Sequence, residues 1–196
     1  MIKSKKHFLL LTFSFLLFSS FLQPDFAGKL CDAAVSLTKV KVIYDPTYYT
    51  LSYPNGDVPD NKGVCTDVII RAYRKLGIDL QKKVHEDMKA NFNLYPKKWG
   101  AKKPDKNIDH RRVPNLMTFF SRFGKVKPGS NDIKDYAPGD IVAWNLGGGI
   151  THIGIVIRQK SPDNKQYLIV HNIGAGQVSE DCLFSFKIIG HYSYPK

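Results

Sequence analysis

The stretch "GVCTDVIIRAYRKLGI", Gly63 to Ile78, carries a cysteine just ahead of a helical stripe, and two histidines, His152 and His171, lie far downstream in β-rich segments. Val68, Ile69, Ala72, Tyr73 and Leu76 recur at three- and four-residue steps, which predicts an amphipathic helix that Cys65 begins. Unpaired N–H groups and the positive end of the helix dipole favour thiolate there, the nucleophilic form. Such a nucleophile is served by an imidazole that accepts and returns a proton, and by a third polar group that orients it. His152 heads "HIGIVI" behind the glycine loop "LGGGI", and His171 closes "YLIVHN"; the two meet if their strands form a hairpin. The chemistry predicted is attack on a carbonyl by Cys65, with its own backbone N–H as one oxyanion donor. Alone, Cys65 reads as a small buried apolar residue; the ordered set of three favours catalysis.

The elements that must position these residues come in two blocks. A short strand is predicted over Val40–Tyr44, followed by the turn-rich loop "DPTYYTLSYPNGDVPDNKG". After the cysteine helix, "LQKKVHEDMKANF" and "VPNLMTFFSRFG" read as two further helices, separated by the basic loop "YPKKWGAKKPDKNIDHRR". Then the period changes: "DIVAW", "THIGIVIR", "QYLIVHNI" and "LFSFKIIGHYSY" are strands divided by turn residues. Helices first and strands afterwards predict an α+β domain, its helices packed on one side of an antiparallel sheet.

The 196 residues suit one such domain behind a leader. Lys3, Lys5 and Lys6 precede an apolar run from Phe8 to about Leu22, the layout of a signal peptide over 1–28, with the domain over 29–196. The chain is therefore expected to be exported, periplasmic or extracellular, with no stable membrane span after cleavage. Net charge is +12; without Lys3, Lys5, Lys6 and Asp25 it is +10, from 26 basic and 16 acidic residues. That excess suits an anionic cell-envelope polymer, or is only a solvated surface. No run of five like charges appears, which argues against nucleic acid. Three cysteines make no disulfide framework; with Cys65 employed, the available pair is Cys31 with Cys182. No zinc signature is present, so neither metal nor cofactor is expected. His85 and His191 read as surface histidines. Asp109, His110, Arg111 and Arg112 crowd one loop, where Arg111 and Arg112 either grip a substrate carboxylate or pair structurally with Asp109.

The order "GVCTDVIIRAYRKLGI", "YAPGDIVAW", "ITHIGIVIR", "YLIVHNIGAG" resembles the NlpC-type branch of the papain-like cysteine peptidases, over roughly Tyr53 to the C-terminus. It is still more similar to a family of exported bacterial proteins sharing "GVCTDV" and "NIDHRRVPNL". The peptidase resemblance implies a papain-like fold with Cys65 as nucleophile, His152 as general base and His171 as orienting residue. It also implies that Tyr53 borders the site. The implied activity is hydrolysis of an amide bond in peptidoglycan stem peptides, by an endopeptidase or an amidase. Acyl transfer on the same fold, or a non-catalytic wall-binding module, are the alternatives. Where that family has Asp-Cys-Ser-Gly, this chain has Val64-Cys65-Thr66-Asp67. Asp67 either replaces the missing substrate-reading aspartate or serves the first helical turn through its charge.

Overall fold

The computed structural model describes residues 26–195. The leader expected over 1–28 falls outside these residues except for its last three, and those open a helix. Helix α1 (Phe26–Leu37) buries Leu30, Cys31, Ala33, Ala34 and Leu37, and the Phe26 ring lies 5.9 Å from Tyr73. The domain boundary expected after residue 28 thus cuts the first turn of an element that belongs to the core. No helix among the described residues is long and apolar enough to cross a membrane.

The strand expected over Val40–Tyr44 shrinks to β1 (Ile43–Tyr44), paired in parallel with β2 (Lys62–Gly63). Helix α2 (Cys65–Arg74) follows at once. Its first turn is closed by Asp67, whose carboxylate accepts the Val64 N–H at 2.7 Å, satisfying a donor ahead of the helix. Asp79 caps α3 (Leu80–Ala90) by accepting the Lys82 N–H, and Pro114 sits in the first turn of α4 (Val113–Phe123).

The strands β3 (Lys125–Val126), β4 (Ile141–Asn145), β5 (Thr151–Lys160), β6 (Tyr167–His171), β7 (Val178–Glu180) and β8 (Lys187–Ser193) form one sheet. Its order is β3-β8-β4-β5-β6-β7, and every pair is antiparallel. The protein is α+β, as its pattern predicts. Strand β4 shows why both faces are buried: Ile141 and Ala143 join the core beneath the helices, while Val142 and Trp144 point into a smaller cluster with Tyr136, Cys182 and Leu183. α1, α2 and α4 all contact β5, the strand whose second residue is the catalytic candidate His152.

Three residues that looked like surface or pairing positions are core instead. His191 is buried, stacked 4.2 Å from Tyr136, with Nε2 2.8 Å from Asp140 and Nδ1 2.7 Å from the Pro128 carbonyl. Asp140, of the Pro-Gly-Asp turn, also accepts the Ala137 N–H, so the histidine locks this turn ahead of β4. Cys31 and Cys182 are both buried and are not joined to one another. They sit in the separate clusters on opposite sheet faces, which rules out the bridge that chain order made available.

Candidate active site

Cys65 is the first residue of α2 and is buried against the head of β5. The backbone N–H groups of Ile153, the residue after His152, of Thr66 and of Cys65 itself lie around its thiol. Those donors favour thiolate, yet burial outweighs them and pushes the Cys65 thiol up to about 12. The helix start alone predicts the opposite direction; the sequence shows the dipole but not the depth.

His152 stands opposite Trp144 in the β4–β5 ladder. Its Nε2 is 2.7 Å from His171 Nδ1, on the neighbouring strand β6, so the hairpin joins the two histidines as expected. Gly154 permits this approach: a Cβ there would stand 2.5 Å from Ile169 Cγ2 and 3.2 Å from His171 Cβ. His171 Nε2 lies 2.9 Å from a carboxylate oxygen of Glu180 on β7.

This chain of contacts assigns the tautomers. The Glu180 carboxylate only accepts, so His171 donates from Nε2 and presents Nδ1 as an acceptor. His152 must then donate from Nε2, which leaves its Nδ1 a lone pair with no hydrogen-bond partner among the described residues. No hydrogen bond joins Cys65 to His152; the Ile153 N–H, next to His152 on this strand, is the group of β5 that bears on the thiol. Burial, with His171 adding to it, lowers His152 to about 3. Burial also lowers His171, with Glu180 acting in the opposite sense. Either charge created alone in this pocket is penalised. Moving the proton from Cys65 to His152 creates both together, and the two charges offset one another once the groups meet.

Asn172, fully buried, donates to the Gly63 carbonyl at 3.1 Å and ties the end of β6 to the strand before Cys65. A cavity of about 180 Å³ opens at Cys65, lined by Tyr44, Trp99, Arg111, Arg112 and Thr151 among others. Tyr53 does not line it: its ring packs edge-on against His85 at 5.4 Å. Tyr44 borders the cysteine instead.

Asp67 and Arg111, both considered as substrate contacts, are occupied with one another. Arg111 Nε and Nη2 each lie 3.0 Å from the Asp67 carboxylate, and the remaining donors reach the Asp45 and Thr47 carbonyls. The side chains are 3% and 2% exposed, so the pair is framework rather than a docking point. Asp109, the partner expected for the arginines, instead accepts the Asp105 N–H, and burial raises it to about 6. Arg112 is the freer arginine, with its guanidinium 4.7 Å from the exposed Trp99 ring. Arg112 also lines a neighbouring hollow of about 580 Å³ walled by Lys102, Lys103 and Lys106. His85 is half-buried beside this hollow, and His110 is buried outright, its imidazole held down to about 3 by burial.

Sequence reasoning missed Glu180, Tyr44 and Trp99. Glu180 had one available signal: it falls two residues beyond Val178, which pairs with His171, and so shares the histidine's sheet face. Tyr44 ends the two-residue strand β1 and Trp99 sits in a single 3-10 turn, and the approach of neither to Cys65 leaves a periodic trace.

Among known proteins, the chain is 52% identical over 165 residues to "Uncharacterized protein YijF" of Escherichia coli (strain K12), covering 84% of this chain and 80% of that protein. The family described as "Domain of unknown function (DUF1287)" matches residues 31–194, a span that runs from within α1 through β8 and takes in all the site residues above, and the chain belongs to that family.

Proposed function

We propose that this protein is an exported, papain-like cysteine hydrolase of the NlpC type that cleaves an amide bond in peptidoglycan stem peptides. The observation that carries the reading is the Glu180–His171–His152 relay, which leaves an unprotonated Nδ1 near the start of β5, the strand on which the helix begun by Cys65 packs. In this reading Cys65 attacks the amide carbonyl as His152 Nδ1 takes the thiol proton. His152 then returns that proton to the leaving amine, and water attacks the acyl-enzyme with His152 again as base. The Cys65 N–H serves the developing oxyanion.

The substrate class rests on charge. Arg112 connects the cysteine cavity to a hollow where Lys102, Lys103, Lys106 and Arg112 outnumber Asp105 and Asp109, an excess of positive charge that suits a peptide bearing free carboxylates. Incubation with defined muropeptides, followed by mass spectrometry of the products, tests the activity. Cleavage lost in Cys65→Ala and in His152→Ala is the expected result. A single pair of new termini names the scissile bond, and a product carrying an added amine acceptor instead of water marks a transferase. The same basic hollow also favours wall binding without catalysis, in which case no muropeptide is cleaved and sedimentation with peptidoglycan survives Cys65→Ala.

A further inference from the structure

His171 Nε2 faces more than Glu180. The Cys182 sulfur lies 3.7 Å from the same nitrogen, and the imidazole, carboxylate and sulfur ligand atoms all fall within 4.8 Å of one another. Zinc bound by a nitrogen at about 2.0 Å and a sulfur at about 2.3 Å in tetrahedral geometry separates them by about 3.5 Å. The spacing found here needs little movement to reach that. Cys182 is carried on a pinned turn: the Leu183 carbonyl accepts the Trp144 indole N–H at 2.9 Å, and the Cys182 carbonyl accepts the Ser185 N–H. His171 and Cys182 are buried while Glu180 is exposed, so the cluster has a dry inner side and an entry from solvent.

We propose that His171, Glu180 and Cys182 form a binding site for a zinc ion, whose occupation reverses the hydrogen bond between His171 and His152 and withholds the base from Cys65. The donor set of imidazole, carboxylate and thiolate suits zinc over calcium or magnesium, and three protein ligands leave a fourth position for water. A metal-bound imidazole donates its other N–H to a neighbouring acceptor, and here that neighbour is His152 Nε2. The protons balance as follows. The Cys182 thiol proton and the His171 Nε2 proton leave to solvent, His171 Nδ1 takes the proton from His152 Nε2, and His152 Nδ1 takes one from solvent. One proton is released per zinc, and His152 Nδ1 is converted from a lone pair to an N–H.

The regulatory half rests on the proposed base role of His152; the binding half does not, and the two are measured apart. Zinc is titrated into the purified full chain against a chromophoric chelator. One equivalent is expected to bind to wild type and to Cys65→Ala, with affinity at least tenfold weaker in Glu180→Ala and Cys182→Ala. Cobalt added to Cys65→Ala should give a thiolate-to-metal charge-transfer band, a readout that does not depend on Cys182→Ala folding. Binding lost in Cys65→Ala, unaltered in Cys182→Ala, or absent altogether overturns the site. Zinc is further expected to slow alkylation of Cys65 at least tenfold in wild type. Zinc that binds the cluster and leaves Cys65 alkylation unchanged overturns the coupling, whether or not any muropeptide is cleaved.

Discussion

His152 Nε2 and His171 Nδ1 lie 2.7 Å apart, and the direction of that one hydrogen bond decides which nitrogen of His152 is free to act as a base. Glu180, on the far side of His171, sets that direction without touching His152. A partly exposed carboxylate on a three-residue edge strand therefore governs the proton inventory of a buried pair.

Glu180 is accordingly a positioning residue. Glu180→Ala is expected to lower the Cys65-dependent rate about 10- to 100-fold while leaving the thermal midpoint near that of wild type, because the side chain is 44% exposed. The rate should recover in part in Glu180→Asp, which keeps the acceptor. A loss of rate that tracks a loss of stability would assign Glu180 to the scaffold instead.

Cys65 is expected to react slowly with iodoacetamide at pH 7, and faster as pH rises beyond 9, since burial holds its thiol up at about 12 against an ordinary value of about 8.5. His152→Ala should slow the neutral-pH reaction further, because it removes the base and leaves the burial. Rapid alkylation below pH 7 would contradict the buried thiol described here.

Stability should fall on the acid side. His110 is held down to about 3, so its contribution is complete above its unfolded value of about 6.5 and is lost as pH falls toward 3. From pH 7 to pH 5 that amounts to about 2 kcal/mol. His152 adds a loss in the same direction. Urea midpoints at the two pH values measure it, and His110→Gln should flatten the acid limb. On the alkaline side the raised Cys65 and Cys182 thiols act with the opposite sign: their stabilisation is complete below about 8.5 and declines above it.

Arg111→Ala strands a buried carboxylate on Asp67, whose side chain is 3% exposed. The expected cost is about 3–5 kcal/mol in urea or guanidinium unfolding. Arg111→Ala together with Asp67→Ala should recover part of it, because the uncompensated charge is gone.

Arg112→Gln is expected to raise KM for a carboxylate-bearing peptide about tenfold with kcat nearly unchanged, as an interaction present in both ground and transition state would. Trp99→Ala should act in the same direction by releasing the guanidinium from its ring. Unfolding midpoints for both should match wild type, since Trp99 is 63% exposed.

The periodic parts were legible in the residue pattern: the helical stripe behind Cys65, the helices over 80–90 and 113–123, the strands that carry His152 and His171, and hence the α+β class and the meeting of the two histidines. Hydrophobic period and turn residues are local properties, and two strands joined by a short turn have one obvious neighbour. Contacts between distant segments set the rest. Arg111 pairs with Asp67 across 44 positions, not with adjacent Asp109, because a buried carboxylate at a helix start needs a cation and chain proximity does not supply one. Tyr44 borders Cys65 where Tyr53 was expected, since loop paths follow no period. The direction of the Cys65 shift was likewise beyond reach: the helix dipole is legible in a sequence, whereas desolvation depends on what α1, β5 and the loops bring over the sulfur.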